Sequence, residues 1–125
     1  MNNNPDQPAD QKGPLVGIVG VCASGKSTLI AGLAEHGVRT RHIAQEHSYV
    51  KDMWKRIANP DILIYLDASY SVTLMRRQFN WTETDWAEQH SRLLHAREHA
   101  DLYIKTDDLT LEQVLELALD FIASY

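Results

Sequence analysis

Residues 20–27 read Gly20-Val21-Cys22-Ala23-Ser24-Gly25-Lys26-Ser27 and fit the pattern G-x-x-x-x-G-K-[ST] at each fixed position. A short β-branched run, Leu15–Val19, precedes this stretch, and Thr28–Ala34 can continue it as a helix. A buried strand, a glycine-rich loop and a helix, in this order, are typical of a phosphate-binding loop. The sequence therefore predicts such a loop, here called the 20–27 loop, followed by a helix that begins near Lys26.

Each fixed residue of the 20–27 loop has a physical reason. Gly20 and Gly25 permit backbone conformations that turn successive N–H groups toward an anion. Lys26 can reach the β- and γ-phosphates of a nucleotide, and the hydroxyl group of Ser27 suits Mg²⁺. A glycine turn that only packs a helix against a sheet is the alternative, but it would not require Lys26 and Ser27 at these offsets. The predicted nucleotide contacts are Gly20, Cys22, Ala23, Ser24, Gly25, Lys26, Ser27 and Thr28.

Length, charge and cysteine content restrict the class of protein. The 125 residues suffice for one domain with a real core, but not for two. A net charge of −5 argues against a nucleic-acid or anionic-membrane partner, which would require a basic face. Cys22 is the single cysteine, so an internal disulfide is excluded and a cytoplasmic location is expected. No apolar run is long enough to span a bilayer, and the first residues lack the order of a signal peptide.

The remaining chain alternates between predicted strands and helices. Residues 1–14 are almost free of apolar side chains and are expected to form a flexible tail, which leaves 15–125 as one domain. The alternation predicts a three-layer α/β/α domain with a parallel sheet of about four strands. The predicted strands are Leu15–Val19, Val38–Glu46, Ile62–Leu66 and Asp101–Lys105. Ligands bind at the carboxyl ends of such strands, where the 20–27 loop, Glu46, Asp67 and Thr106-Asp107-Asp108 would meet.

Caps and apolar faces define the predicted helices. Thr82 with Asp85, and Thr110 with Gln113, fit the capping box of the last two helices. Ser48 is a candidate cap for an earlier helix. The apolar face of that earlier helix would comprise Val50, Met53, Trp54 and Ile57. A helix over Tyr70–Phe79 carries Arg76 and Arg77, and a break at Asn80 separates it from a helix over Thr84–His99 with Trp86, Leu93 and Leu94 on its apolar side.

Three stretches resemble the small P-loop kinases, the clan that includes adenylate, thymidylate, shikimate and gluconate kinases. They are the 20–27 loop, Pro60–Ser69 with the helix that ends in Arg76-Arg77, and His99–Thr110. The resemblance implies a P-loop NTPase fold, ATP and Mg²⁺ as cofactors, and phosphoryl transfer as the reaction. It also implies that Arg77 reaches the nucleotide and that Asp107 lies in the loop that borders the adenine.

One departure from that family concerns the acceptor. Its members have two strands between the loop helix and the strand that corresponds to Ile62–Leu66, whereas this chain has room for one. We therefore expect the acceptor-binding insert to be missing, Val38–Glu46 to lie beside the first strand, and the sheet order to be 2-1-3-4. On this alignment Glu46 takes the acidic position that orients Mg²⁺ or accepts the proton of the acceptor. Asp67, which also ends an apolar run, is the alternative acid, although the alignment favours it as the cap of the next helix.

The catalytic candidates are Lys26, Glu46, Arg77 and Arg92, and the candidate metal ligands are Ser27 and Glu46. For the arginines, charges on a solvated helix face remain the alternative. His95 and His99 lie four residues apart, but no further ligand pattern supports a zinc site there, and a solvated face is predicted. His47 is a candidate for contact with the acceptor.

These features predict an ATP-binding, Mg²⁺-dependent phosphotransferase that acts on a small molecule. A nucleotide-binding or hydrolysing module that acts through a protein partner is the alternative, as is a degenerate kinase that binds nucleotide without turnover. A homodimer is compatible with each of these. A GTPase is disfavoured because no N-K-x-D stretch follows a strand to recognise guanine. The sequence does not name the acceptor.

Overall fold

A computed structural model describes residues 13–77 and 80–125 of the chain. The strands are β1 (Leu15–Gly20), β2 (Arg39–His42), β3 (Ile62–Asp67) and β4 (Leu102–Lys105). The helices are α1 (Lys26–Glu35), α2 (Met53–Ile57), α3 (Tyr70–Arg77), α4 (Glu83–His99) and α5 (Leu111–Ser124), with a 3₁₀ turn at Gln45–His47. Residues 1–12 of the predicted tail, and the predicted end of a helix at Phe79, lie outside the described residues.

The described strands form one four-stranded parallel sheet in the order β2-β1-β3-β4. The predicted α/β class, the parallel sheet and the strand order are therefore confirmed. In the register, Val16 of β1 lies opposite Ile62 of β3, and Asp67 at the end of β3 lies opposite Lys105. Because all four strands run in one direction, their carboxyl ends meet at the same edge of the sheet. The 20–27 loop begins at that edge.

Helices cover both faces of the sheet. Ile62, Ile64 and Leu66 of β3 pack in one cluster with residues of α1 and α5. Leu63 and Tyr65, which alternate with them, pack in a second cluster with Trp54 of α2 and with residues of α4. Every residue of β3 is buried, as expected for a central parallel strand covered on both sides. Full burial of one such large apolar side chain contributes about 1.5–3 kcal/mol to folding.

The helix ends follow the local sequence. Gly37 has a φ of 77° and ends α1, because its N–H donates to the carbonyl oxygen of Ala34 at 3.0 Å. Both predicted capping boxes are present, at Thr82 with Asp85 and at Thr110 with Gln113. These caps satisfy N–H groups that the first turns of α4 and α5 leave free.

The segment between β2 and β3 differs from the prediction. The second strand ends at His42 rather than Glu46, because Gln45–His47 turn as a 3₁₀ helix. The buried Gln45 amide holds that turn: Nε2 donates to the carbonyl of Val50 at 2.8 Å, and Oε1 accepts from the N–H of Trp54 at 2.8 Å. Ser48 does not cap α2, since its Oγ accepts from the N–H of Val50.

Two predicted apolar faces are only partly correct. Of the four residues predicted for the face of α2, Trp54 is buried, whereas Val50 and Ile57 are exposed. On α4, Leu93 is buried and Leu94 is exposed. The short α2 therefore contributes one buried side chain, Trp54, to the core rather than a continuous apolar face. Among the described helices, none combines the length and apolar character needed to cross a membrane.

Candidate functional site

The 20–27 loop connects β1 to α1 in a shape that depends on its first glycine. A Cβ at Gly20 would collide with the backbone oxygen of Leu66 on β3 and lie 2.8 Å from the hydroxyl oxygen of Ser24. Gly25 has a φ of 103°, and Ala23 also has a positive φ of 64°. Glycine at the first position therefore lets the loop pass directly against the neighbouring strand, as the sequence pattern requires.

Lys26 is buried beneath this loop although it carries a charge. Its Nζ donates to the carbonyl oxygens of Gly20 at 2.5 Å and Val21 at 3.2 Å, and to Glu46 Oε2 at 2.8 Å. The side chains of Lys26 and Glu46 are 8% and 5% exposed, so the ion pair is largely shielded from solvent. A buried ammonium requires such partners, because desolvation would otherwise cost several kcal/mol.

Glu46 is held at the site by the 3₁₀ turn that follows β2. One carboxylate oxygen, Oε2, pairs with Lys26, whereas Oε1 is buried without a hydrogen-bond partner among the described residues. Buried carboxylate oxygens nearly always have a partner. The unpartnered oxygen is therefore a position at which a ligand would restore a lost interaction.

A cavity of about 360 Å³ opens over the loop. Its lining includes the predicted contacts from Cys22 to Thr28, together with His42 and Glu46. Arg76 and Arg77 of α3 add two further cations to Lys26, whereas Glu46 is the one carboxylate that the described residues contribute to the lining. The cavity thus combines a backbone loop with an excess of positive charge, which suits a polyphosphate. Leu109, Leu111 and Val114 add apolar side chains to the lining.

Arg76 makes the clearest arginine contact with the loop. Its Nη1 donates to the carbonyl oxygen of Ala23 at 3.0 Å and to Thr106 Oγ1 at 2.9 Å, and its Nη2 donates to the carbonyl oxygen of Thr106 at 2.7 Å. Sequence reasoning placed Arg77 ahead of Arg76 and did not single out the side chain of Thr106. The order of two adjacent arginines depends on the rotation of α3, which the local sequence leaves open.

Two predicted site residues lie elsewhere. Arg92 donates to the backbone oxygen of Glu46 at 3.2 Å and stacks over the ring of Tyr49 at 4.6 Å. Asp107 accepts a hydrogen bond from the N–H of Ser69 at 2.9 Å. Neither residue lines the cavity as the described residues form it. Arg92 therefore supports the turn that carries Glu46, and Asp107 supports the start of α3.

Asp67, the alternative acid, is engaged in a separate network. Its carboxylate accepts hydrogen bonds from His90 Nε2 at 2.9 Å, Tyr103 Oη at 2.5 Å and the N–H of Ala68 at 2.9 Å. It was predicted to cap the next helix, but this is wrong: the hydroxyl oxygen of Ser69 accepts from Val72 at the start of α3. With three donors on its carboxylate, Asp67 joins β3, β4 and α4.

The pKa values of this network follow from its geometry. Burial alone would raise the pKa of Asp67, but the hydrogen bonds from His90 and Tyr103 outweigh burial and lower it. Burial alone would lower the pKa of His90, but hydrogen bonds to Asp67 and to the carbonyl of Trp86 raise it. Burial, followed by the bond to Asp67, raises the pKa of Tyr103 to about 12. An ionised Asp67 beside a protonated His90 is therefore the favoured state.

Gln89 of α4 is a contact that sequence reasoning missed. The N–H of Cys22 donates to Gln89 Oε1 at 2.9 Å, and Gln89 Nε2 donates to the sulfur of Cys22 at 3.2 Å. A glutamine in the middle of a helix, 67 positions along the chain, gives no local signal for this contact. The Cys22 sulfur also lies 3.9 Å from His47 Nε2.

The remaining aromatic and histidine candidates have packing roles in the described part of the chain. His95 and His99 pack against each other and against Trp54, and His95 Nδ1 lies 3.2 Å from Trp54 Nε1. Trp86 donates from Nε1 to the backbone oxygen of Ala68 at 3.0 Å, and its ring contacts that of His90 at a tilt of 50°. These residues therefore join α4 to α2 and to the end of β3.

No protein-family model matches this chain, and a search of curated proteins finds no match either. Function is therefore inferred from the site itself. The described geometry places residues of the 20–27 loop, three cations and one partly unpartnered carboxylate around one cavity. This arrangement can bind a polyphosphate and hold an acid beside its terminal group.

Proposed function

We propose that the chain is an ATP-binding P-loop protein of the small-kinase type and a Mg²⁺-dependent phosphotransferase that acts on a small molecule. One observation carries the proposal. A buried lysine at the fixed position of the G-x-x-x-x-G-K-[ST] pattern lies 2.8 Å from a buried glutamate, and both line one cavity over the loop. A structural ion pair alone would not require a glycine loop and a cavity beside it.

The cavity suggests how a nucleotide would lie. The amides of the 20–27 loop and the amino end of α1 would hold the phosphates, with Lys26 on the β- and γ-phosphates. Arg76 and Arg77 would approach from α3. The base would contact the apolar part of the lining, which comprises Leu109, Leu111 and Val114.

The residues present also fit a magnesium ion. The hydroxyl group of Ser27 and the unpartnered Oε1 of Glu46 are oxygen donors, which is the class that Mg²⁺ prefers. When bound, the ion would neutralise charge on the phosphates. Lys26 and the arginines would hold the γ-phosphate in line. Where Oε1 of Glu46 does not bind the ion, it would instead accept the proton of an acceptor hydroxyl. Phosphoryl transfer requires this positioning and charge balance more than covalent help from the protein.

A nucleotide-binding module that acts through a protein partner is the second candidate. It is supported by the short segment between α1 and β3, where the described chain has one strand, one 3₁₀ turn and the five-residue α2. The kinase resemblance would assign an acceptor-binding insert to this segment. A domain that binds nucleotide but lacks an acceptor-binding insert could instead bind a protein partner in a way that depends on whether nucleotide is bound.

Calorimetry on Lys26→Ala tests phosphate binding. We expect the full chain to bind ATP with Mg²⁺, and the variant to lose affinity by at least about 100-fold, because a buried cation that contacts two phosphates is removed. Lys105→Ala is the matched control, since that lysine is 61% exposed and lies outside the cavity lining. Retained affinity in Lys26→Ala would remove the basis of the proposal.

A screen of hydroxylated small molecules for stimulated ADP release separates the two candidates. Stimulation by one chemical class supports the phosphotransferase. Tight nucleotide binding without stimulated release across broad classes supports the binding module.

A further inference from the structure

Cys22, Glu46 and His47 bring three different metal-ligand types together beside the 20–27 loop. One donor atom from each residue lies within 4.8 Å of the other two. The sulfur of Cys22 is 3.9 Å from His47 Nε2, and that nitrogen is 3.8 Å from Glu46 Oε2. We propose that this cluster, the Cys22–Glu46–His47 cluster, is a Zn²⁺ site whose fourth coordination position opens to the cavity.

The donor spacing is close to that of a tetrahedral zinc site. Zinc binds sulfur at about 2.3 Å, and nitrogen or oxygen at about 2.0–2.2 Å. One sulfur, one nitrogen and one oxygen at the corners of such a tetrahedron lie roughly 3.3–3.6 Å apart. The two distances in the cluster, 3.9 Å and 3.8 Å, exceed this range by a few tenths of an ångström. His47 has a 60% exposed side chain and can rotate into place without disturbing the core.

The mixture of donors selects the metal. Mg²⁺ prefers oxygen ligands, whereas a thiolate, an imidazole and a carboxylate together suit zinc. This set differs from the proposed magnesium ligands, Ser27 and Glu46, by the sulfur and the imidazole. The cluster therefore favours a different metal from the proposed magnesium site at the same edge of the sheet. Zinc binding to the cluster would not require a bound nucleotide.

Two further observations indicate a ligand at the cluster. The Glu46 side chain is only 5% exposed, and its Oε1 has no hydrogen-bond partner among the described residues. The Cys22 sulfur accepts a hydrogen bond from the buried Gln89, which also binds the Cys22 N–H. Outer partners of this kind fix the direction of a metal ligand and tune its affinity.

Charge balance allows the ion to bind beside Lys26. A thiolate and a carboxylate together neutralise the two positive charges of zinc. Lys26 would keep its hydrogen bonds to the carbonyl oxygens of Gly20 and Val21 while Glu46 turns an oxygen to the metal. Cys22 and Glu46 also line the cavity, so the remaining position would take water or an anionic oxygen from that side.

Metal binding to the full, reduced chain without nucleotide tests the site. Competition with a chromophoric chelator gives the zinc affinity and stoichiometry, and we expect one ion per chain. Co²⁺ is the spectroscopic probe, and its complex is expected to show a near-ultraviolet charge-transfer band from the Cys22 thiolate. A cobalt complex without that band would overturn the assignment.

His47→Ala is the decisive variant because the side chain is exposed and its loss should leave the fold intact. We expect the zinc affinity of His47→Ala, and that of Cys22→Ala, to fall by at least about 100-fold. Loss of a hydrogen-bond partner of a metal ligand costs up to about 100-fold in affinity, and loss of the ligand itself should cost at least as much. His95→Ala is the matched control, since His95 and His99 form a close histidine pair that does not belong to the cluster. Its zinc affinity is expected to be unchanged.

Zinc affinity that survives both His47→Ala and Cys22→Ala would overturn the proposal, as would its loss in His95→Ala. Thermal unfolding of the metal-free variants identifies a misfolded Cys22→Ala, in which case His47→Ala decides. Lys26→Ala separates this proposal from phosphate binding. It should lose ATP affinity yet keep zinc affinity, because Glu46 then has no competing cation.

Discussion

Two acids lie buried at the carboxyl edge of the same sheet, and their surroundings differ. Asp67, at the end of β3, receives hydrogen bonds from His90, Tyr103 and the N–H of Ala68. Glu46, after β2, shares one oxygen with Lys26 and leaves the other without a partner among the described residues. Of these two acids, Glu46 but not Asp67 lines the cavity over the 20–27 loop as the described residues form it.

The difference separates a structural acid from a functional candidate. Both carboxylate oxygens of Asp67 have protein donors, so its interactions contribute to stability. The interactions of Glu46 are incomplete, which costs stability unless a ligand or metal completes them. Burial alone does not distinguish a functional carboxylate, because both acids are buried. The two acids differ in how many hydrogen-bond partners the protein provides to the carboxylate oxygens.

Glu46→Gln should have the largest effect of the substitutions that test this comparison. The amide cannot accept a proton from an acceptor hydroxyl, so we expect Mg²⁺-dependent ADP release to fall by about 100-fold or more. Nucleotide affinity should change little, because the loop and Lys26 remain. Stopped-flow or coupled-enzyme measurement of ADP release, beside calorimetry, checks both expectations. Unchanged turnover in this variant would remove Glu46 from the reaction.

Asp67→Asn should show the opposite pattern. Loss of the charge weakens the hydrogen bonds from His90 and Tyr103, and we expect the free energy of unfolding to fall by about 2–3 kcal/mol. The folded fraction should retain its ADP release. Urea unfolding gives the first quantity, and an assay corrected for the folded fraction gives the second. Full stability with lost turnover would reverse the roles of the two acids.

A smaller effect is expected in the pH dependence of stability. The pKa of His90 is raised above its ordinary value of 6.5, so its stabilising contribution is complete below that pH and is lost as the pH rises through the raised pKa. The pKa of Asp67 is lowered from 3.8, so its contribution is complete above that pH and is lost as the pH falls through the lowered pKa. The network therefore stabilises the fold most between these two values.

Urea unfolding across this pH range checks the expectation. The wild-type chain should lose stability as the pH rises above about 6.5, and Asp67→Asn should show a weaker loss because His90 no longer faces a carboxylate. An equal loss in both proteins would show that the pair does not control the dependence.

Much of the fold followed from local signals. The alternation of β-branched runs with helical spacing predicted the parallel sheet, and the room for one strand between α1 and β3 led to the correct strand order. The capping boxes at Thr82 and Thr110 are complete within four residues, so the sequence shows them directly. The end of β2 was missed because the 3₁₀ turn depends on the side chain of Gln45, which binds groups five and nine positions away.

The site divides in the same way. The sequence alone determined the 20–27 loop between β1 and α1, because the pattern is carried by eight adjacent residues, and the kinase resemblance added Glu46 as a candidate acid. Only the tertiary structure decided that Arg76 contacts the loop, that Arg92 stacks on Tyr49, and that His90 and Tyr103 occupy Asp67. It alone brought Gln89 and His47 to the sulfur of Cys22. These contacts join residues far apart in the chain, and their geometry depends on how each helix rotates against the sheet.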